Sequence, residues 1–442
     1  PINQPMLFMI VALVILVVEV GNDYLIFIVR GIFIPSLCYI GGIIILKAFI
    51  TESDTLYFNS ETFTLSTSID DLNNNIKKEN DYNILKKVVI NISNNCNLSC
   101  TYCYADGGNY GMMNQLMNID TADKIIDQLV SRRIQCIKRL ILFGGEPFLN
   151  IDLFVYIIEK LSKNIEIQKI ETVTNGTILN KKVEMMINNY HPFLTVSLDG
   201  PQLMHGKLRG KGSHRRTLNF IQYLKEIDYE NFEVASTYTR MHQKLGFQKG
   251  DIYRYFTDMG VRFNINNVFS KNKILIVKEM EMTEENRKTF IDQSFEDIIN
   301  NNVKNYISPI VYDVILSMIF KSKIESFCDD IDPETTITFD VDGSTKSCFR
   351  FWGTHSSDKV TQFNNKDNFS KCKDCWCRGM CMECVANMID GYSSIISEEG
   401  KFIECKKQDL MEYCIYKIIE LSKDKERLTK LVNNFERFIR YA

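Results

Sequence analysis

From about residue 87 onward, short apolar runs alternate with stretches whose apolar positions recur at helical spacing. Residues 88–92 are apolar and β-branched, which is typical of a buried strand. In 119–130 the apolar side chains share one face of a predicted helix: Ile119, Ala122, Ile125, Ile126 and Leu129. Five further strands are predicted, with helical patterns between them, at 140–143, 167–173, 194–198, 232–239 and 261–268. These six β/α units predict an α/β fold with a parallel sheet, whose active site lies at the carboxyl ends of the strands.

The pattern changes on both sides of this region. Residues 1–50 are mostly apolar, but the first run is short for a bilayer span and the second contains Arg30 and Pro35. Membrane association and buried β-structure are therefore both open for 1–50. Residues 51–85 turn polar around two short alternating runs and predict a hairpin followed by a linker. We assign 86–280 to the α/β domain, and 281–442 to a helical bridge followed by a cysteine-rich domain.

Composition narrows the classes of function. The 442 residues are 45% hydrophobic and carry a net charge of −3, so the chain is globular and has no general attraction for nucleic acid. The chain has fourteen cysteines, and eight of them cluster at 96–103 and 372–384, at spacings that fit metal sites better than a disulfide framework. A reducing compartment, the cytoplasm, follows from that usage.

Three of these cysteines stand on one predicted loop. Cys96, Cys100 and Cys103 are spaced so that a single loop can wrap one face of a four-iron cluster. Such a cluster needs four ligands, so three cysteines leave one iron open for chemistry. Spacing alone also fits a structural zinc site or a set of free buried cysteines.

Polar residues follow four of the predicted strands directly. Cys96, Glu146, Asn175 and Ser197 each stand just beyond a strand end, so the parallel sheet brings them to one edge. Gly144 and Gly145 let the backbone approach closely, and Glu146 can accept hydrogen bonds from an ammonium group. We therefore expect one shared site.

The three-cysteine motif with Tyr102, followed by Gly144-Gly145-Glu146-Pro147, resembles the radical S-adenosylmethionine (SAM) superfamily. The resemblance implies a partial (β/α)6 barrel whose open iron chelates SAM. It also implies an oxidoreductase that uses a low-potential donor such as flavodoxin or ferredoxin to form a 5′-deoxyadenosyl radical under anaerobic conditions. The implied SAM-binding residues are Tyr102, Gly144, Gly145, Glu146, Asn175, Ser197 and Arg209. Relatives have His-Asp where this chain has His205-Gly206, so His205 is not among the predicted site residues.

The C-terminal cysteines fit a compact zinc site on spacing alone. Taken with the hairpin expected in 339–348, they resemble the SPASM extension, which carries two auxiliary four-iron clusters. The implied ligands are Cys328, Cys348 and Cys384 for one cluster, and Cys372, Cys375, Cys381 and Cys405 for the other. The chain departs from that pattern because 331–338 contains no cysteine and Cys377 is extra. Cys377 is therefore a candidate replacement for one of these ligands.

Within the superfamily, 104–111 and 235–239 with His242 on the fifth strand are similar to maturases of ribosomally synthesised peptides. That similarity implies a cysteine-containing precursor peptide as partner and a thioether bond from cysteine sulfur to carbon as product. Residues 51–70 would then be a remnant of a leader-peptide recognition domain. The alternative is an anaerobic sulfatase maturase, which forms formylglycine. A non-catalytic electron carrier or zinc-stabilised binding protein accounts for the cysteines but leaves Glu146, Asn175, Ser197 and Arg209 unexplained.

Overall fold

The computed structural model describes residues 15–20, 23–28, 46–50, 55–60, 63–66, 83–268, 273–275, 284–302, 307–320, 323–328, 331–351, 357–389, 405 and 407–441. These residues fall into two compact units. We call the described residues of 80–307, 330–357 and 433–442 the barrel unit, and those of 1–79, 308–329 and 358–432 the cysteine-rich unit.

The barrel unit is organised by an eight-stranded sheet. Six parallel strands lie side by side in chain order: Lys87–Ser93, Leu140–Gly144, Ile170–Thr174, Phe193–Ser197, Phe232–Tyr238 and Phe263–Asn267. Thr336–Phe339 adds a parallel strand beside the first, and Thr345–Lys346 pairs with it antiparallel. The six predicted strands are present, and the α/β class with a parallel sheet is confirmed.

Short parallel pairings flank the large sheet at Ile84–Leu85, Cys136–Ile137 and Glu166–Ile167. Helices connect the strands at Ile119–Ser131, Ile151–Leu161, Lys181–Tyr190, Gln202–Arg209, Ser213–Glu226, Arg240–Lys244 and Lys249–Asp258. Short 3₁₀ turns occur at Asp106–Gly108, Pro147–Asn150 and Lys273–Leu275, and a longer helix follows at Glu284–Ile299.

The connecting helix Ile119–Ser131 packs an apolar face into the core of the barrel unit. In Ile119–Ser131 the buried residues are Ala122, Ile125, Ile126 and Leu129, as the sequence predicts. Ile119, which was placed on the same face, is exposed, since it is the first residue of the helix. Asn118 caps this helix by accepting a hydrogen bond from the Thr121 amide, which satisfies one of its free N–H groups. The polar cap and the apolar face together fix where the helix begins.

The cysteine-rich unit combines small antiparallel sheets with helices. Leu46–Ile50, Thr55–Asn59 and Thr64–Ser66 form a three-stranded sheet, and Ile15–Val20 pairs with Asp23–Ile28. The helices and 3₁₀ turns in this part of the chain are Pro309–Phe320, Ser357–Asn364, Lys366–Asn368, Ser370–Lys373, Arg378–Met380, Val385–Ile389, Lys407–Ser422 and Lys425–Tyr441. The predicted hairpin in 55–65 is therefore present as strands of the larger sheet.

Aromatic side chains of this sheet pack on the cysteine-rich loop. The Trp376 ring lies between Phe49 and Phe58, with centroid distances of 5.9 Å to each. Lys47 forms an ion pair with Glu412 at 3.0 Å. The sheet therefore supports the segment that carries Cys375 and Cys377.

Replacing Phe58 with Ala should lower the free energy of unfolding by about 3–5 kcal/mol, because this side chain is fully buried and its removal leaves a cavity beside Trp376. Urea unfolding followed by tryptophan fluorescence measures the loss. Lys423→Ala, at an exposed position of the same unit, should change it by less than about 0.5 kcal/mol. Equal stability of the two variants would contradict the packing described.

Candidate active site at the carboxyl edge of the barrel

The loop that follows the first barrel strand carries Cys96, Cys100 and Cys103, all partly exposed. Neighbouring elements hold this loop through its backbone. The Thr101 amide donates to the Leu208 carbonyl at 2.8 Å, and the Glu146 amide donates to the Asn95 carbonyl at 2.9 Å. The three cysteines therefore lie on one anchored loop at the carboxyl edge of the sheet.

Glycines permit a close contact between this loop and the end of the second strand. A Cβ on Gly145 would lie 2.5 Å from the backbone carbonyl oxygen of Asn95 and 2.9 Å from the Gly108 Cα. A Cβ on Gly144 would lie 2.4 Å from the Ser93 oxygen, and its φ of 155° is one that other residues rarely adopt. Backbone packing alone therefore requires glycine at both positions, independently of any ligand.

Glu146 is fully buried at the same edge. Its carboxyl oxygens accept hydrogen bonds from the Asn175 amide and the Thr174 hydroxyl, each at 2.8 Å, and from the Phe148 amide at 3.2 Å. Burial raises the pKa of Glu146 to about 7, although these donors act in the opposite direction. The residue joins the ends of the second and third strands.

Asn175 connects the third strand to the cysteine loop. Its side-chain amide donates to the Asn97 oxygen at 2.8 Å and lies 3.8 Å from the Cys96 sulfur. Asn97 in turn donates to the Thr177 hydroxyl at 2.9 Å. Sequence reasoning found Asn175 but missed Asn97 and Thr177, whose roles depend on a contact between segments about 80 positions apart.

A second buried carboxylate, Asp199, lies beyond the fourth strand and bonds three other elements. It accepts from the Arg209 Nε at 2.8 Å, the Tyr102 hydroxyl at 2.7 Å and the Thr237 amide at 3.0 Å. Burial alone would raise the pKa of Asp199, but Arg209 outweighs it and holds this pKa below the ordinary value. Sequence reasoning missed Asp199 as a site residue, although an acid directly after a strand was the available signal.

Two of the predicted SAM-binding residues, Tyr102 and Arg209, take part in these contacts. The Arg209 guanidinium lies over the Tyr102 ring, 5.4 Å from its centroid. Part of its hydrogen-bonding capacity goes to Asp199, so Arg209 organises the site as well as facing it. Ser197 ends the fourth strand opposite Ala235, at the same edge of the sheet.

Two histidines hold the Asp199 backbone. The Asp199 backbone amide donates to His205 Nδ1 at 3.2 Å, and His242 Nε2 lies 2.9 Å from the backbone carbonyl oxygen of Asp199. Burial lowers the pKa of His205 to about 4. His205, omitted from the predicted site, thus belongs to this network, and His242 lies in the helix Arg240–Lys244 rather than on the fifth strand.

A separate cysteine pocket lies wholly within the cysteine-rich unit. Five cysteines line it: Cys372, Cys375, Cys377, Cys381 and Cys405. Cys375 and Cys377 are 3.4 Å apart between sulfurs, and the Gln408 amide donates to the Cys375 sulfur at 3.0 Å. Cys377, noted in the sequence as extra, shares this pocket with all four predicted ligands of one auxiliary cluster.

The other predicted cluster residues lie elsewhere. Cys328 and Cys384 belong to the cysteine-rich unit but do not line this pocket, and Cys348 follows the strand Thr345–Lys346 of the barrel unit. Cys136 and Cys414 are buried as ordinary core residues. Cys38 lies outside the described residues.

Residues 90–243 match the Radical SAM superfamily, and this range contains the cysteine loop, Glu146, Asn175, Asp199 and Arg209. The chain contains a radical SAM domain. Residues 90–243 therefore form a radical SAM domain, and the predicted resemblance to this superfamily of enzymes is confirmed.

Several curated relatives carry this domain. A radical SAM cyclopropyl synthase of Paramaledivibacter caminithermalis is 24% identical over 237 residues, which are 50% of this chain and 46% of that protein. A cysteine-type anaerobic sulfatase-maturating enzyme of Clostridium novyi is 26% identical over 284 residues, 58% of this chain and 71% of that protein. The chain spans about half the length of curated relatives such as the cyclopropyl synthase.

A solved structure of native anSMEcpe with bound AdoMet shares the fold. The alignment has a TM-score of 0.57 and 17% identity, and it covers 76% of this chain and 99% of the other. A second structure of that protein also contains a Cp18Cys peptide. At this identity the alignment shows a shared fold alone.

Membrane association was left open for residues 1–50. In the part of the chain that the structure describes, no helix combines the length and the apolar character needed to cross a bilayer.

Gly145→Ala should reduce the iron bound at the cysteine loop several-fold, because the new Cβ would collide with the Asn95 backbone. Iron per chain after anaerobic reconstitution measures the effect. Gly206→Ala is the matched control: it lies in the helix Gln202–Arg209 with no atom within 4 Å of the added Cβ, and should keep normal iron. Full iron in Gly145→Ala would refute the close contact.

The buried Glu146 carboxyl predicts a pH dependence of stability in the metal-free protein. Its folded-state pKa of about 7 lies above the ordinary 4.5, so the stability supplied by its protonated form is complete below pH 4.5 and is lost as the pH rises to about 7. Over that interval the melting temperature of Glu146→Gln should rise relative to that of the parent. Glu230→Gln, at an exposed position, should follow the parent at every pH, and a constant offset for Glu146→Gln would count against the shifted pKa.

Proposed function

We propose that this chain is a radical SAM peptide maturase that installs a thioether, from cysteine sulfur to carbon, in a ribosomally synthesised peptide. The observation that carries the radical step is the anchored loop of Cys96, Cys100 and Cys103 beside Glu146 and Asn175. Thiolates are ligands that iron–sulfur clusters require, and three of them on one loop suit a cluster with one open iron.

The residues at this edge have separable roles in the proposal. The three cysteines would hold the cluster, which supplies reductive cleavage of SAM to a 5′-deoxyadenosyl radical when bound and reduced. Glu146 would receive the methionine amino group, since its buried carboxylate already accepts three donors and retains acceptor capacity. The other proposed SAM contacts are Tyr102, Gly144, Gly145, Asn175, Ser197 and Arg209.

The cysteine pocket supports auxiliary iron–sulfur chemistry. Its donor set of five thiols exceeds the four that a closed cluster needs, so Cys372, Cys375, Cys381 and Cys405 would hold a full cluster with Cys377 as a possible substitute. The second auxiliary cluster, with Cys328, Cys348 and Cys384 as its implied ligands, rests on the sequence resemblance alone. With three protein ligands it would leave an open iron for a thiolate of the peptide.

A peptide substrate is supported by the relatives. One is named a cysteine-type anaerobic sulfatase-maturating enzyme. A structure of anSMEcpe contains the peptide Cp18Cys. The proposed partners are a cysteine-containing precursor peptide and a low-potential donor such as flavodoxin or ferredoxin.

Sulfatase maturation is the second candidate. The Clostridium novyi relative aligns over 284 residues and 71% of its length, which extends past the radical SAM domain. That enzyme class converts a cysteine of its substrate to formylglycine, so the sulfur is lost and an oxygen takes its place. Thioether formation instead keeps the sulfur and removes two hydrogen atoms from the peptide.

The first experiment is anaerobic reconstitution, reduction with dithionite and chromatography for 5′-deoxyadenosine. The parent chain should form it, and the Cys96, Cys100, Cys103 triple alanine variant should not. Cys136→Ala and Cys414→Ala, at buried positions that belong neither to the cysteine loop nor to the lining of the cysteine pocket, should retain the activity. Absence of 5′-deoxyadenosine from the parent at full iron content would overturn the radical assignment.

Mass spectrometry then separates the two peptide reactions. The active chain is incubated with cysteine-containing peptides encoded beside its gene and with a sulfatase-derived cysteine peptide. Loss of two hydrogen atoms from the peptide, with a cysteine thiol that no longer reacts with an alkylating reagent, supports the thioether proposal. Loss of sulfur with a new aldehyde supports sulfatase maturation.

A further inference from the structure

Lys366 places a positive charge inside the cysteine-rich unit. It begins the 3₁₀ turn Lys366–Asn368, and only 1% of it is exposed. Its ammonium donates to the Ile324 carbonyl at 2.8 Å and to the Arg378 carbonyl at 2.6 Å, and it lies 5.6 Å from the centroid of the Phe327 ring. These contacts fix the ammonium in one position.

That position is in the wall of the cysteine pocket. Lys366 lines the same pocket as the five thiols, whereas Lys371 lines it from an exposed position. Arg378 also lines the pocket and pairs with Asp367 at 2.6 Å. The other charged groups nearby are Lys407, which pairs with Glu383 at 2.8 Å, and the buried Asp313. Lys366 is thus a buried cation in the wall of a pocket that five thiols line.

The buried ammonium contributes a fixed positive charge to the pocket that the five thiols line. Burying an ammonium is unfavourable unless nearby groups stabilise it, and an anion in the same pocket would do so. A four-iron cluster with four thiolates is such an anion, and it gains one further negative charge when it is reduced.

We propose that Lys366 is a positioning residue that stabilises the anionic iron–sulfur cluster of this pocket, and its reduced form above all. Net charge near a cluster is one of the factors that set its reduction potential, and a fixed cation favours the form with more electrons. The inference rests on the proposed cluster assignment. It does not depend on SAM cleavage or on the identity of the peptide.

The test uses the full chain with Cys96, Cys100 and Cys103 replaced by alanine, so that signals of the radical SAM cluster are absent. After reconstitution with iron and sulfide, a redox titration is followed by electron paramagnetic resonance. The signal lost in Cys372→Ala identifies the cluster of this pocket. Lys366→Met removes both charge and hydrogen bonds, Lys366→Gln removes charge but keeps donors, and Lys371→Met is the control at the exposed pocket residue.

We expect Lys366→Met and Lys366→Gln to shift the midpoint potential of that signal to more negative values, and Lys371→Met to leave it in place. Loss of that signal in both neutral variants, with unchanged circular dichroism and melting temperature, would support the same conclusion. An unshifted signal at full iron content would overturn it. A shift confined to Lys366→Met, or unfolding of both neutral variants, would instead assign Lys366 a purely structural role.

Discussion

The buried carboxylate of Asp199 holds the candidate site together. It joins the cysteine loop through Tyr102, the helix Gln202–Arg209 through Arg209, and the fifth strand through the Thr237 amide. A charge in this position is stable only because a guanidinium and several donors surround it. Loss of Arg209 would leave this buried charge unpaired, and the remaining donors link the loop and the strand to the same carboxylate.

The secondary-structure elements of the site were predicted well from the sequence. The hydrogen bonds that join them were predicted less well. Strand positions followed from apolar runs, and the cysteine spacing with Gly144-Gly145-Glu146 indicated a site at the sheet edge. Asn97 and Thr177 were missed because their partners are distant in sequence. His242 was noted in the sequence, but its contact with the Asp199 backbone carbonyl was not predicted, because no side-chain pattern reveals a backbone partner. Arg209 was predicted from the family resemblance, but nothing in the sequence indicated its pairing with Asp199.

The cysteine-rich unit shows a different limit of sequence reasoning. Residues 51–70 were interpreted from the sequence as a hairpin and a remnant of a peptide-recognition domain. Short polar strands carry little information about the side chains that they pack against. In the structure Phe58 of that hairpin contacts Trp376, between two cysteines of the pocket. Hydrophobic contact over more than 300 positions cannot be inferred from local periodicity.

The contact between Gly145 and Gly108 has a thermodynamic consequence. Because the two backbones meet where no side chain fits, the segment with Cys96 cannot move independently of the strand end that carries Glu146. The conformational entropy of ordering these segments is therefore lost when the barrel folds, before any cofactor arrives. Binding at this edge then has less disorder to overcome, so the affinity of the site is set in large part by the folding of the sheet beneath it.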